Sequence, residues 1–110
     1  MKTQNPYLSV IIPAFNEEKS LDRGVLGEVY SYLNKQKFTW EVLVVSDGST
    51  DLTDKIVTNF VKAHKGFYLL KEPHRGKGGT VISGSLSAKG KIILFTDMDL
   101  WLCGLEIFGS

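Results

Sequence analysis

Four short apolar runs do most to limit what this chain can become. They are Leu8–Ile12 (LSVII), Glu41–Ser46 (EVLVVS), Phe67–Lys71 (FYLLK) and Lys91–Phe95 (KIILF). The first, β-branched and without polar alternation, suits a strand covered on both faces, the habit of parallel sheets, and the second is again continuous and apolar. Between the first two, Leu21, Val25, Val29, Tyr32 and Leu33 recur at helical spacing and predict one amphipathic helix over 18–35. Glu17, Glu18 and Asp22 near its start and Lys35 and Lys37 near its end suit the helix dipole. Leu52, Ile56, Phe60 and Ala63 predict a second helix, and a weaker one is expected over 80–89. The order β-α-β-α-β-α-β with short links implies right-handed crossovers. The expected fold class is therefore α/β, a Rossmann-like, mostly parallel sheet with helices on both faces. A chain of 110 residues has room for one such domain.

Charge narrows the choice of partner. Thirteen Lys and Arg against twelve Asp and Glu leave a formal charge of +1, so no whole-protein field favours nucleic acid or an anionic bilayer. Anion recognition has to be local. Cys103 is the single cysteine and forms no internal disulfide, which suits a reducing compartment. No stretch approaches the roughly 18 apolar residues of a membrane span, and no apolar run precedes Tyr7. The expectation is a cytoplasmic chain without a transmembrane segment.

Ligands of open α/β sheets bind outside the carboxyl ends of the strands, so the turns that follow the four runs form one rim. Four segments meet there: Pro13–Glu18, Asp47–Asp51, His74–Gly79 and Asp97–Asp99. Asp97 and Asp99 follow an apolar strand, where carboxylates are costly unless solvated or paired with a cation. In an extended strand they stand about 6.7 Å apart, wide for chelating one ion together. Division of labour is expected, with Asp99 on a divalent metal and Asp97 on a ribose or on the metal's waters; a solvated turn is the competing reading. His74–Gly79 interleaves Arg75 and Lys77 with glycines ahead of a helix, which suits a diphosphate or else a basic surface loop. It is neither a dinucleotide fingerprint nor a Walker A loop, because position 81 is Val and Ile92 follows Lys91. Asp47 closes the second run, where its carboxylate can accept a ring N–H of uracil or guanine. Asp51 reads as a helix cap rather than a ligand contact, Ser49 and Thr50 read as N-caps, and Glu17 is open to either role. His64 and His74 lack partners at zinc spacing and are expected at the surface. Ser46, Ser49 and Ser83 have no evident His-Asp pair.

Taken in order, Ser9–Glu18 (SVIIPAFNEE), Val44–Asp51 (VVSDGSTD), Arg75–Gly79 (RGKGG) and Phe95–Asp99 (FTDMD) resemble glycosyltransferase family 2. The Gly-Lys-Gly-Gly element is most similar to the dolichyl-phosphate glucosyltransferase and polyprenyl-phosphate sugar synthase branch. The resemblance implies a GT-A fold and transfer of a hexose, with inversion, from a UDP- or GDP-sugar to a polyprenyl or dolichyl phosphate. It implies Mg²⁺ or Mn²⁺ as cofactor. Carried onto this chain, Pro13, Phe15 and Glu17 line the nucleoside pocket, Asp47 contacts the base, Lys77 meets the diphosphate, and Asp97 and Asp99 serve ribose and metal. Ser46 stands where many members carry a first Asp.

The same resemblance divides the chain into 1–100, which is family-like, and an atypical tail, 101–110 (WLCGLEIFGS). Inversion also needs a base on the acceptor. Glu106 is the sole carboxylate after Asp99, and no residue is assigned that role. The expectation is a donor-binding half that transfers no sugar by itself, located in the cytoplasm or at the cytoplasmic face of a membrane. The alternative is a non-catalytic, truncated nucleotide-binding fragment.

Overall fold

The computed structural model describes residues 5–73 and 84–96. Its elements run β1 (Leu8–Ala14), α1 (Glu18–Asp22), α2 (Val25–Asn34), β2 (Trp40–Asp47), α3 (Thr53–Ala63), β3 (Phe67–Glu72) and β4 (Ile92–Phe95). Residues 84–87 are also helical. The four strands form one sheet in the order β3-β2-β1-β4, and every pairing is parallel. The chain thus steps outward from β1 to β3 and returns to the far side of β1, which makes the β1–β4 boundary the point where winding reverses.

Apolar side chains of β1 and β2 are buried on both faces, whereas the outer strands β3 and β4 leave Tyr68, Ile92, Ile93 and Phe95 exposed. On one face Leu8, Val10, Ile12, Val42 and Val44 pack with Leu21, Val25, Leu26, Val29, Leu33 and Val57 of the three labelled helices. On the other, Ile11, Leu43 and Val45 meet Leu70 and Ala88. The helical Gly84 lies against the Ile11 side chain on that second face, so helical residues flank both faces of a Rossmann-like sheet, as expected.

The single helix expected over 18–35 is two. Gly24 sits in the left-handed region at φ +86° between α1 and α2, and its amide closes the first helix by donating to the Leu21 carbonyl at 2.9 Å. A glycine adopts that conformation without the Cβ clash that others suffer. The apolar spacing nevertheless predicted the packed face, because Leu21, Val25, Val29 and Leu33 are all buried.

A polar anchor at the amino end of the sheet adds to the ladder between β1 and β4. The buried Ser9 hydroxyl donates to Glu41 Oε2 at 2.5 Å, and that oxygen also accepts the Lys89 amide at 2.8 Å. The Gly90 amide in turn donates to Ser9 Oγ at 2.8 Å. Approach there is so close that a Cβ on Gly90 would lie 2.7 Å from the Ser9 amide nitrogen, so only glycine fits without displacing backbone.

Candidate donor-binding site

Parallel register brings the carboxyl ends of β1 and β2 to one level, with Ala14 beside Ser46 and Asp47 beside Glu72 of β3. β4 ends lower, its Phe95 beside Ile11, and the Thr96 amide donates to the Ile11 carbonyl at 3.1 Å. Pro13 is the half-buried penultimate residue of β1. Phe15, just past the strand, is 43% exposed. Glu17 is half-buried at the start of α1, and Asp47 is the last residue of β2, only 4% exposed. These four expected contacts share one rim. Lys77, Asp97 and Asp99 lie outside the described residues, as do His74 and residues 101–110.

Two hydrogen-bonded clamps join the turn after β1 to the turn after β2. At the rim, the Asn16 amide donates to Ser49 Oγ at 3.1 Å, and Asn16 Oδ1 accepts the Thr50 amide at 2.8 Å. Ser46 Oγ donates to Ser49 Oγ at 3.1 Å, extending the link to the residue before Asp47. Nearer the helices, the Glu17 amide donates to Thr53 Oγ1 at 2.8 Å and the Glu18 amide to Asp51 Oδ2 at 3.3 Å. Asp51 Oδ1 accepts both the Thr53 amide at 2.9 Å and the Thr53 hydroxyl at 2.5 Å. Asp51 thus accepts the first amide of α3 from the position before its N-cap, in keeping with its expected role as a cap or dipole partner. Ser49 and Thr50 are not N-caps of α3, whose N-cap is Leu52 without a side-chain cap bond; they serve Asn16 instead. Asn16, Thr50 and Thr53 carry this framework and none stood out as functional in the sequence. The available signal was an Asn in a turn, the side chain most tolerant of positive φ after glycine.

Beside the clamps, Glu17, Glu18, Asp22 and Asp51 share with Lys19 and Arg23 the lining of an open cavity of about 600 Å³. Four carboxylates against two cations make it a poor seat for phosphate.

Burial alone would push the Asp51 carboxyl up, but bonds from the Thr53 hydroxyl and from the Thr53 and Glu18 amides outweigh it and hold it below the usual aspartate range. A carboxyl whose folded value lies below its unfolded one stabilises the fold at higher pH and loses that contribution as pH falls through the folded value. Thermal melts should therefore show stability falling below about pH 4, with a shallower fall in Asp51→Asn. Identical acid slopes would mean the clamp does not depend on the charge.

His64 departs from its expected surface position. Its ring is half-buried and stacks on Phe60 at 3.8 Å and 8°, with Nδ1–H donating to the Phe60 carbonyl at 3.0 Å. It packs in the aromatic cluster beside Tyr30 and Phe67. Among the described residues no group of three or more His, Cys, Asp or Glu side chains is placed to hold a metal ion. No helix among them is long and apolar enough to cross a membrane.

The family model for glycosyl transferase family 2 matches residues 9–103. The chain belongs to glycosyltransferase family 2. A dolichyl-phosphate beta-glucosyltransferase of Drosophila melanogaster is 44% identical over 100 residues, which cover 84% of this chain and 30% of that protein. The family 2 chain described here spans about three-tenths of the curated relatives it matches. Among solved structures, a mannosyltransferase from Pyrobaculum calidifontis in complex with GDP-Man and Mn²⁺ superposes with a TM-score of 0.73 at 30% identity, covering 88% of this chain and 28% of that one. TarS of S. aureus, residues 1–349 in complex with UDP-GlcNAc, gives 0.65 at 31% identity, covering 84% and 26%. The GT-A fold expected for family 2 is borne out, as is the expected similarity to dolichyl-phosphate glucosyltransferases.

Proposed function

We propose that this chain is the donor-binding half of a metal-dependent, inverting hexosyltransferase that takes a UDP- or GDP-hexose and passes its sugar to a polyprenyl or dolichyl phosphate. The observation that carries the reading is the shared rim. Phe15 and Glu17 follow β1 at the level where Asp47 closes β2, beside the boundary at which sheet winding reverses.

In this reading Pro13, Phe15 and Glu17 line the nucleoside pocket, the exposed Phe15 ring giving it a flat apolar wall. The buried Asp47 carboxylate accepts the base's ring N–H, a bond that a charged acceptor makes stronger than a neutral one. Lys77 meets the diphosphate and Asp97 the ribose. Asp99, with Asp97, holds Mg²⁺ or Mn²⁺. Two carboxylates one residue apart offer the hard oxygen donors those ions prefer, and they follow in sequence on Thr96, whose amide is tied to β1. Bound there, the ion would offset charge developing on the leaving diphosphate. The chain's own residues orient the nucleoside and fix where the diphosphate lies. Likeness to proteins solved with GDP-Man and Mn²⁺ and with UDP-GlcNAc supports the donor class, and the relatives' dolichyl-phosphate name supports the acceptor. The division into 1–100 and 101–110, and a place at the cytoplasmic face of a membrane, belong to the same proposal.

Calorimetric titration tests it. UDP or GDP is expected to bind with Mn²⁺ and about tenfold more weakly in EDTA, a difference that Asp99→Asn should erase. Equal wild-type affinity in both conditions would remove Asp99 from the site. No binding of either nucleotide would remove the donor-binding reading altogether.

A further inference from the structure

We infer that Asn16 is a positioning residue of the nucleoside pocket, setting the separation between the Phe15–Glu17 turn and Asp47. The inference rests on the donor-binding reading above and adds a residue to it. Asn16 is the only non-glycine with positive φ among the described residues, at 52°. Asparagine tolerates that conformation better than other side-chain-bearing residues, so the turn is available to it, and the bonds it makes there fix it in place. The backbone amide of Asn16 is spent on Ser49 and its side-chain carbonyl on Thr50, so the residue grips the neighbouring turn from both ends.

The position of that grip distinguishes it from ordinary turn chemistry. Asn16 stands between Phe15 and Glu17, the two pocket residues after β1. Its partners follow Asp47 by two and three residues, and through Ser49 the link reaches the buried Ser46 on the other side of Asp47. Both walls of the proposed pocket are therefore tied to one residue, whose side chain meets Thr50 and whose backbone amide meets Ser49. The second clamp, in which Asp51 and Thr53 hold the Glu17 and Glu18 amides, independently ties α1 to the start of α3. The fold thus has an anchor that survives loss of the Asn16 side chain, whereas the rim then keeps only the bond from the residue 16 amide to Ser49 and loses the one that fixes Thr50.

Three proteins separate these roles: the wild-type 110-residue chain, Asn16→Gly and Asn16→Asp. Glycine keeps the left-handed turn without the acceptor, and aspartate restores an oxygen for the Thr50 amide. Each is titrated with UDP and with GDP in the presence of Mn²⁺ and melted thermally. Asn16→Gly should bind its preferred nucleotide about fivefold more weakly, with the UDP-to-GDP preference reduced. Asn16→Asp should recover affinity to within about twofold of wild type. Unchanged affinity in Asn16→Gly, whatever its melting temperature, would overturn the inference and leave the donor-binding reading intact. Failure of Asn16→Asp to recover would overturn it too, as would outright unfolding of Asn16→Gly, because the Asp51 clamp would then be insufficient. A wild-type chain that binds neither nucleotide would overturn both readings together.

Discussion

Asp47→Ala is expected to weaken UDP or GDP binding by roughly 1.5 to 3 kcal/mol, the usual cost of losing a hydrogen bond to a charged group. The carboxylate is 4% exposed at the end of β2, so water competes poorly for it and a base N–H gains a strong acceptor. Asp47→Asn keeps an acceptor oxygen without the charge and should fall between wild type and the alanine variant. The measurement is titration calorimetry beside a melt, which separates lost contact from lost fold. Should Asp47→Ala bind as tightly as wild type while still melting cooperatively, the base is read elsewhere on the rim.

Phe67→Ala should cost about 3 to 5 kcal/mol of folding stability, as truncation of buried aromatics does. Phe67 opens β3 at 2% exposure, and its ring stands edge-on to Phe60 at 4.9 Å and to Trp40 at 5.7 Å. Tyr30 of α2 completes the group at 6.2 Å. That cluster is where α2 and α3 meet β2 and β3, so the cavity left behind is walled by three separate elements and cannot readily collapse. A drop in melting temperature of at least about 12 °C follows for a domain of this size. Phe67→Leu retains most of the volume and should lose less than half as much. If the alanine variant melts within a few degrees of wild type, the ring is not the joint described here.

Much of this molecule was legible before any coordinates. The four apolar runs became the four strands, each shifted by no more than two residues at either end. The first helix shows where that legibility stops: Leu21 and Val25 kept their spacing across Gly24, so burial was predicted while the break was not. Periodicity reports which side of an element faces the core, and it is blind to one residue in the left-handed region. The site divides in the same way. Pro13, Phe15, Glu17 and Asp47 were placed on one rim because strand ends in a parallel sheet converge whatever the sheet order. Ser49 and Thr50 were assigned as helix caps because a Ser-Thr pair before a helix usually is one. Their hydroxyls went to Asn16, a partner 33 and 34 residues away along the chain.

Local pattern alone, then, determined the α/β class, the family and the rim, because hydrophobic spacing and short motifs are properties of contiguous residues. Tertiary structure decided the order β3-β2-β1-β4, the seating of Gly90 against Ser9 from 81 residues away, and the pairing of Asn16 with Thr50. The reason is physical. A polar group near a strand end will accept many partners of suitable chemistry, and which one it meets depends on register and strand order, set by burial summed over the whole sheet.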